Sequence, residues 1–355
     1  MSFKAFHSPT CLCCILSPDI LDAIKRNGDA RQRREAEATE ELTQRLRATR
    51  LTASPRRVTA APNVATSTTK GPTRLVFDSK GTRSLQENLV RSEGDGPTGD
   101  QQVDEAYDGA GATYELFLNE YGRDSLDGNG MALISNVHYG KDFENAFWDG
   151  EQMAYGDGGS VFKPLTGDLA IIGHEFSHGV TQFSGGLEYQ DQAGSLNEHF
   201  SDVFGSLTKQ YALKQTALEA DWLMGADVLQ PDVNGIALRS MKAPGEAYND
   251  SLIGKDPQPY HMDYFVFTSR NNGGVHINSG IPNYAFYMLC VMLGGYAWEG
   301  PGQIWYKTMQ DISNPFATFT EWANLTVLNA EELYGRGSLE AIYTKRCWKL
   351  VGIEL

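Results

Sequence analysis

The sequence predicts an α+β fold of two domains, preceded by a small helical segment and a linker. Residues 1–74 hold 13 Lys and Arg against 7 Asp and Glu, whereas the rest of the chain holds 17 against 38. Strand-like patterns are concentrated between residues 74 and 166, and amphipathic helical patterns dominate after Gly186. We therefore expect a helical segment with a linker at 1–73, an N-terminal domain of mixed sheet and helices at 74–185, and an all-α C-terminal domain at 186–355.

The composition is that of a globular protein, because 355 residues that are 41% apolar and 21% charged can form a sizeable core. The longest apolar stretches are shorter than a membrane span, and the run from Cys11 to Leu16 is too short for a secretory signal. Five cysteines form no even disulfide framework, which favours a reducing compartment. We therefore expect a cytoplasmic protein, or one exported without a signal peptide, and no membrane partner.

The N-terminal segment is predicted to contain two helices. The first begins at Ser17-Pro18 and ends at Asn27-Gly28, and Asp29 caps the second. Basic residues are scattered along these helices among acidic ones, and the rest of the chain is strongly acidic. This favours docking of the segment onto the rest of the chain over binding to nucleic acid. Residues 52–73 lack apolar periodicity and include the basic pair Arg56-Arg57, so we expect a linker that is open to proteolysis.

The two larger domains have different patterns. Strands are predicted at 74–77, 131–138 and 146–155, the last folded as a hairpin at Asp149-Gly150, together with an amphipathic helix at 104–121. Further helices are predicted at 198–213, 281–293 and 319–330. The first set predicts a sheet with helices packed on it, and the second predicts a helical domain.

The segment His174-Glu175-Phe176-Ser177-His178 lies inside an apolar run that is typical of a buried helix. Residues four apart on a helix lie on one face, so His174 and His178 can bind one metal ion, for which zinc is the obvious candidate. Glu175 is offset by one residue and could act as a base on water. The pattern predicts hydrolysis, although a histidine in such a run is more commonly an ordinary core residue.

A third zinc ligand is predicted twenty residues after His178. Taken alone, Ser195 and Glu198 match a capping box, in which the carboxylate only satisfies a backbone amide. Beside the histidine pair, however, Asp202 falls one turn after Glu198, where it could accept the N–H of a ligating histidine. Two histidines, one glutamate and an orienting aspartate indicate a catalytic rather than a closed structural site.

These motifs resemble those of the thermolysin-type metallopeptidases, and most of all their protealysin-like branch, which has a short prosegment. The resemblance runs from about Gly81 to the C-terminus. It covers Asn136-Val137-His138-Tyr139-Gly140, Asn145-Ala146-Phe147-Trp148, the zinc helix, the motif Asn197-Glu198 through Asp202, and the stretch from Asn272 to Gly280. It implies a thermolysin-like two-domain fold with the zinc helix between the domains. The implied function is that of a zinc endopeptidase made as a proenzyme, with residues 1–73 as the prosegment and inhibitor.

The resemblance also implies roles outside the zinc ligands. Tyr189 and His276 would donate hydrogen bonds to the tetrahedral intermediate, and Arg239 would bind the carbonyl of the next residue. Asn197, which belongs to the same motif as Glu198, would support the ligands together with Asp202. Taken alone, Tyr189 reads as a half-buried aromatic residue and Arg239 as a solvated charge.

Contacts with a peptide substrate are implied at two places. Asn145 and Ala146 would lie on an edge strand that pairs with the substrate backbone, although without the resemblance a plain edge strand with a surface Asn is the favoured explanation. The pocket for the residue after the cleaved bond maps to six apolar residues, Phe162, Leu165, Ile171, Met224, Val228 and Leu238. A bulky apolar side chain such as Leu, Phe or Ile is therefore expected after the cleaved bond, while ordinary core packing is the alternative explanation of these residues.

Two departures from the family pattern concern the cleft. Asn271 replaces an aspartate that hydrogen-bonds the histidine at position 276, so His276 should hold its proton less firmly. If this disables turnover, the chain would be a zinc- and peptide-binding module of low or no activity. The blocking element of the prosegment falls at residues 14–18, where Ser17 replaces the first of two prolines. A thiolate of Cys13 or Cys14 on the zinc is the local alternative.

A third departure concerns calcium. The carboxylates of the family's double calcium site map here to Ala170, Lys209, Asp221, Leu223 and Ala226, of which only Asp221 is acidic. One acid cannot supply the six to eight oxygen ligands that calcium prefers, so we expect this site to be absent. Lys209 is predicted to pair with Asp221 in its place, with a solvated lysine as the alternative.

Overall fold

The computed structural model of the protein describes residues 13–52 and 71–355, with the backbone alone for 47–52. Cys11 and the predicted linker pair Arg56-Arg57 lie outside the described residues. Within the described ranges, no helix combines the length and the apolar character that crossing a bilayer would require.

Two helices follow a short strand at the N-terminal end of the described chain. The strand β1 (Cys13–Cys14) leads into α1 (Pro18–Asn27), and α2 (Ala30–Thr52) follows after a turn. Ser17 caps α1 by accepting a backbone N–H, and Asp29 accepts two at the start of α2. Both predicted helix starts are confirmed.

Among the described residues, six strands form the main sheet, in the order β1-β5-β6-β4-β2-β3. After β1, these strands are β2 (Arg74–Asp78), β3 (Leu89–Ser92), β4 (Leu133–Val137), β5 (Ala146–Trp148) and β6 (Met153–Tyr155). The β5-β6 hairpin was predicted, whereas β3 was not, because its two apolar side chains are exposed and do not alternate with polar ones. Since β1 pairs antiparallel with β5, the N-terminal segment supplies one edge of the sheet.

Three helices pass through the centre of the molecule: α3 (Gln101–Tyr121), α4 (Leu169–Gln182) and α5 (Asp191–Leu213). Every residue of α4 after Leu169 is buried, which accounts for its continuous apolar sequence. A glycine lets α4 and α5 approach closely, because a Cβ at Gly205 would lie 2.4 Å from the carbonyl oxygen of Ala170. This close packing brings side chains of the two helices together.

The C-terminal part is largely helical, as predicted. Its helices are α6 (Asn271–Asn278), α7 (Gly280–Leu293), α8 (Gly300–Asp311), α9 (Phe319–Tyr334) and α10 (Leu339–Leu350). The described chain also contains two short ribbons, β7 (Leu223–Met224) with β8 (Arg239–Ser240) and β9 (Asn249–Asp250) with β10 (Gly254–Lys255). An all-α domain was expected because strands of two residues are too short to give an alternating pattern.

The two N-terminal helices contact different parts of the chain. From α1, the side chain of Asn27 donates to the carbonyl oxygen of Leu252 at 3.2 Å, beside the ribbon β9-β10. From α2, Glu35 accepts the N–H of Ser160 at 3.0 Å, on the side of the sheet. Three apolar residues of α1 are buried in the main core, namely Ile20, Leu21 and Ile24. The N-terminal segment therefore bridges the sheet domain and the helical domain.

Glu144 is a buried carboxylic acid near α2. Its Oε1 accepts the N–H groups of Val161 at 3.0 Å and Phe162 at 3.3 Å, while its Oε2 accepts no hydrogen bond in the described part of the chain. Burial raises the pKa of Glu144 to about 7 against the opposing effect of the two N–H groups, and the charge of Glu35 adds to the rise. The protonated form is therefore favoured below neutral pH.

Glu144→Gln should remove a pH dependence of stability. The pKa of Glu144 is higher in the folded protein, at about 7, than its ordinary value of 4.5, so the protonated group contributes stability that is full below pH 4.5 and is lost as the pH rises through 7. Glutamine imitates the protonated acid and does not titrate. Relative to the variant, the wild type should lose about 3 kcal/mol of unfolding free energy between pH 4 and pH 8, measured by denaturant unfolding. A pH-independent difference would contradict this account of Glu144.

Lys209 of α5 lies where the resemblance places a calcium-binding carboxylate. Its Nζ is 2.8 Å from Oδ2 of Asp221, and the lysine side chain is 13% exposed. Burial alone would lower the pKa of Lys209, but the charges of Asp168 and Asp221 hold it above its ordinary value. The predicted pair is confirmed, and the alternative of a solvated lysine is wrong because most of the side chain is buried.

A double-mutant cycle should show that this pair joins α5 to the loop that contains Asp221. Lys209→Met leaves Asp221 without its cation, and Asp221→Asn removes the other charge. We expect a coupling of about 1–2 kcal/mol in the unfolding free energy, because Lys209→Met leaves Asp221 without its cation and Asp221→Asn leaves the largely buried lysine without its hydrogen-bonded carboxylate. Additive effects would contradict the pair. Added calcium should leave the thermal midpoint of the wild type unchanged, and a calcium-dependent rise would contradict the predicted absence of the double site.

Candidate metal centre and peptide cleft

Three buried side chains of α4 and α5 converge at one point. The candidate ligand atoms of His174, His178 and Glu198 all lie within 4.8 Å of one another. The two histidine Nε2 atoms are 3.1 Å apart, and the Glu198 carboxylate oxygens lie 3.6 Å and 3.5 Å from them. Burial lowers the pKa of both histidines and so favours neutral imidazoles. Two neutral imidazoles and a carboxylate are a donor set that suits zinc.

Neighbouring groups on α5 orient both histidines. Nδ1 of His174 lies 2.8 Å from Oδ1 of Asp202, and Nδ1 of His178 lies 2.8 Å from Oδ1 of Asn197 and 3.0 Å from Oγ of Ser201. An Nδ1–H that donates to these acceptors leaves each Nε2 with its lone pair facing the candidate metal position. Ser201 was not singled out from the sequence, although it lies one turn after Asn197 on the same helix.

Asp202 also forms a buried ion pair with Arg239. The guanidinium donates to both carboxylate oxygens, at 2.7 Å for Nη2 to Oδ1 and 3.0 Å for Nε to Oδ2. Burial alone would raise the pKa of Asp202, but the charge of Arg239 and the hydrogen bond from His174 hold it well below its ordinary value. Asn283 donates to the same carboxylate at 2.9 Å. Asp202 is therefore ionised and connects His174 to Arg239.

The capping-box alternative for Glu198 is wrong. The helix α5 begins at Asp191, so Ser195 and Glu198 lie inside it and do not cap it. The Ser195 hydroxyl instead donates to the carbonyl oxygen of Asp191 at 3.1 Å. Glu198 is fully buried and faces the histidines of α4.

Glu175 points into the same buried space but is not one of the three converging ligands. Neither of its carboxylate oxygens accepts a hydrogen bond in the described part of the chain. Burial raises the pKa of Glu175 well above its ordinary value, and the charge of Glu198 raises it further. A buried carboxylate beside a cluster of candidate ligands is the arrangement in which a metal and a water molecule would supply the missing partners.

Tyr189 and His276 both lie close to Glu198. The Tyr189 hydroxyl donates to Oε1 of Glu198 and lies 3.2 Å from Nε2 of His276. Nε2 of His276 is also 3.6 Å from Oε2 of Glu198. The structure therefore brings both predicted donors to the rim of the candidate metal centre.

A left-handed turn precedes His276. Asn271 and Asn272 both have φ of +50°, and Gly273 and Gly274 have φ of +84° and +78°. Glycine and asparagine are the residues that adopt this region most easily. The turn brings Oδ1 of Asn271 to 2.8 Å from Nδ1 of His276, so the amide occupies the position expected for the aspartate.

The backbone of residues 14–16 fills the cleft beside this centre as an extended segment. The carbonyl oxygen of Cys14 lies 2.8 Å from Nε2 of His276, and that of Ile15 accepts from Arg239 at 2.9 Å. On the β5 side, the N–H of Ile15 donates to the carbonyl oxygen of Ala146 at 3.3 Å, and the N–H of Leu16 donates to Oδ1 of Asn145 at 3.2 Å. These contacts fix four successive backbone groups relative to the cleft, from the carbonyl of Cys14 to the N–H of Leu16.

The six predicted pocket residues are all buried: Phe162, Leu165, Ile171, Met224, Val228 and Leu238. Ile15 is fully buried as well and belongs to the same apolar cluster as five of them, Met224 being the exception. The two cysteines of β1 face other neighbours, with Cys14 beside Phe147 and Tyr139, and Cys13 beside Tyr189. Among the described residues, neither cysteine belongs to the group that could hold a metal, so the thiolate alternative gains no support.

Comparisons with known families cover most of the chain. Residues 36–182 match the family described as thermolysin metallopeptidase, catalytic domain. Residues 185–353 match the family described as thermolysin metallopeptidase, alpha-helical domain.

Individual relatives agree with these matches. An extracellular metalloprotease of Pectobacterium carotovorum subsp. carotovorum is 43% identical, over 97% of this chain and 97% of the relative. A solved structure, the precursor of protealysin, a metalloproteinase from Serratia proteamaculans, is 42% identical with a TM-score of 0.86, over 96% of this chain and all of that one. A thermolysin of Alicyclobacillus acidocaldarius subsp. acidocaldarius is 37% identical over 72% of this chain, which spans about half of that relative's length.

The expectation of a cytoplasmic protein, or one exported without a signal peptide, is wrong. The relative that matches over nearly its whole length is named an extracellular metalloprotease, which indicates secretion. The expectation rested partly on cysteines that form no disulfide framework, but Cys13, Cys14, Cys290 and Cys347 are all buried. Buried thiols are shielded from oxidants, so such cysteines do not identify the compartment.

Proposed function

The chain belongs to the thermolysin family of zinc metallopeptidases, and from this premise we propose that it is made as a proenzyme and cleaves peptide bonds on the N-terminal side of bulky apolar residues. Residues 1–73 would be the prosegment and linker, 74–185 the N-terminal peptidase domain, and 186–355 the C-terminal domain. The observation that carries this proposal is the segment Cys14–Ile15–Leu16, which lies in the cleft as an extended peptide.

The register of this segment indicates how a substrate would bind. An extended peptide that adds to β5 would offer its N–H groups to Ala146 and Asn145, as Ile15 and Leu16 do. The carbonyl at the position of Cys14 would then face the metal centre. The following residue, at the position of Ile15, would enter the apolar pocket. The apolar surface of that pocket supports a preference for Leu, Ile or Phe after the cleaved bond.

Glu175 is the proposed general base. Zinc held by His174, His178 and Glu198 would polarise the substrate carbonyl and acidify a water molecule. Glu175 takes the proton of the attacking water and then transfers it to the amine of the leaving segment. Its carboxylate is fully buried beside the three candidate ligands and is not itself one of them, a position that suits a group acting on a water molecule at the metal.

Tyr189 and His276 are the proposed donors to the oxygen that gains negative charge during the reaction. In this structure Nε2 of His276 is 2.8 Å from the carbonyl oxygen of Cys14, and the Tyr189 hydroxyl is 3.2 Å from the same nitrogen. His276 therefore contacts the position of a substrate carbonyl, and the Tyr189 hydroxyl lies beside the donor nitrogen. Arg239 would bind the next carbonyl, as it binds that of Ile15, while its pairing with Asp202 fixes the guanidinium.

The prosegment would inhibit because it uses these same contacts. Its backbone occupies the hydrogen-bonding edge of β5, and Ile15 is fully buried. Helices α1 and α2 hold this segment in place by contacts with both domains. The rival hypothesis of a binding module with low or no turnover rests on Asn271, whose side-chain oxygen faces Nδ1 of His276 as an aspartate would. Since the rival predicts little or no hydrolysis, the yield of products separates the two functions.

Glu175→Ala and His178→Ala should separate catalysis from metal binding. Glu175→Ala should keep a full equivalent of zinc and lose at least about 1000-fold in turnover, because the base is not a ligand. His178→Ala should lose zinc and turnover together. Metal analysis of the purified proteins and peptide hydrolysis assays measure the two properties. Equal zinc loss in both variants would contradict the separate roles.

A casein digest tests the reaction and the specificity together. Incubation with the processed wild-type protein should give product masses whose new N-termini are mainly Leu, Phe and Ile, since the pocket after the cleaved bond is apolar. Parallel incubation with Glu175→Ala controls for contaminating proteases. No products from either protein would favour the binding module, and products that begin mainly with charged residues would contradict the assigned pocket.

A further inference from the structure

The two departures from the family pattern at the cleft are in contact with each other. The amide Nδ2 of Asn271 donates to Oγ of Ser17 at 3.4 Å, while Oδ1 of the same amide lies 2.8 Å from Nδ1 of His276. One side chain therefore touches both the N-terminal segment and the proposed catalytic donor. We propose that Arg270 and Asn271 form a recognition site for the chain's own N-terminal helix and thereby hold β1 in the cleft. This inference rests on the proposed proenzyme state.

The hydrogen bonds of Ser17 explain why an amide suits position 271. The Ser17 hydroxyl has one proton, which it donates to Oδ2 of Asp19 at 3.2 Å, and its oxygen accepts the N–H of Asp19 at 3.2 Å. The remaining site on this oxygen is an acceptor site and needs a donor. Asparagine supplies an N–H there, whereas a carboxylate at 271 has none. An aspartate would also place a second negative charge close to Asp19.

The backbone at position 271 restricts which residues fit there. Asn271 begins the left-handed turn with φ of +50°, a conformation that asparagine and aspartate tolerate better than most other residues, so the contact with Ser17 is what distinguishes the two. The turn continues through Gly274 and leads into His276. The contacts of the Asn271 amide with Ser17 and with His276 hold it between the N-terminal segment and the cleft.

Arg270 adds charge to this recognition site. Its guanidinium contacts Oδ2 of Asp22 and lies 3.7 Å from Oδ1 of Asp19, one turn earlier on α1. Asp22 also pairs with Lys25 at 2.7 Å, and Lys25 reaches Glu40 of α2 at 2.6 Å. Single exposed ion pairs contribute little, but a connected set of charges is stronger and depends on salt. These charges join the start of α1 to α2 and to the cleft.

Two sets of contacts therefore hold different parts of the N-terminal segment. The apolar residues of α1 provide a docking surface of no particular register, whereas Arg270 and Asn271 fix the residues that lie directly after β1. Ser17 is two residues from Ile15, so a shift of Ser17 moves the carbonyl groups that contact His276 and Arg239. Loss of the recognition site should release β1 while α1 stays buried.

Hydrogen–deuterium exchange of the full-length chain tests this proposal. The parent protein carries Glu175→Ala and bound zinc, so that self-cleavage cannot remove the segment. Exchange is followed in peptides that contain the N–H groups of Ile15 and Leu16, with α7 as the internal reference. Asn271→Asp should raise the exchange rate of these two amides by about 5–10-fold, and Arg270→Ala by about 3–5-fold, without changing α7. Arg336→Ala, which removes an exposed ion pair with Glu331, is the matched control and should have no effect.

Two further measurements connect the effect to the named contacts. The combination of Ser17→Ala with Asn271→Asp should accelerate exchange by less than the product of the single effects, because both changes remove the same hydrogen bond. Sodium chloride at 0.5 M should accelerate exchange in the parent but hardly in Arg270→Ala.

Three outcomes distinguish the possible failures. Unprotected Ile15 and Leu16 amides in the parent would overturn the proenzyme proposal itself. Protected amides that respond to neither Arg270→Ala nor Asn271→Asp would overturn the recognition site and leave the proenzyme proposal standing. A parallel acceleration in α7 would mean that the substitutions loosen the whole domain, which also contradicts the inference.

Discussion

The buried ion pair between Asp202 and Arg239 is the interaction on which the cleft depends. The carboxylate of Asp202 faces Nδ1 of His174, and the guanidinium of Arg239 donates to the backbone of the N-terminal segment. One negative charge thus fixes the orientation of a candidate metal ligand and the position of the guanidinium that contacts the segment in the cleft. Removal of either partner would leave the other buried and uncompensated, at a cost of about 3–5 kcal/mol. The candidate metal centre and the Arg239 guanidinium therefore cannot be altered independently.

The features predicted from residue patterns alone, without the family resemblance, are those determined by local geometry. The capping residues Ser17 and Asp29 indicate where α1 and α2 begin. His174 and His178 are one helical turn apart, so both imidazoles lie on the same face of α4. Glu198 and Asp202 follow the same rule on α5. The caps, the histidine pair and the spacing of Glu198 and Asp202 each use residues within about four positions of one another, over which helix geometry determines the direction of side chains. The choice of Glu198 as a ligand also needed the histidine pair twenty residues earlier.

The features that were missed depend on contacts between distant parts of the chain. The pairing of Cys13 with Trp148 and the donation from Asn283 to Asp202 join residues that no local pattern connects. The contact between Ser17 and Asn271 is the clearest case, because each residue read as an isolated departure from the family pattern. Only the packing of α1 against the left-handed turn before His276 explains them together. Electrostatic and hydrogen-bonding partners across a cleft therefore need the tertiary structure.

The edge strand β5 is short, and this limits which proteins could be cleaved. The strand offers three residues, and the segment that pairs with it is extended over only a few positions before α1 begins. A folded protein rarely presents such a stretch free of its own hydrogen bonds, so a target region must first open locally. Under the proposed function, the rate of attack on a native protein would then follow its local unfolding equilibrium. Among chains with the same cleavage sites, flexible or misfolded ones would be cleaved ahead of stable ones.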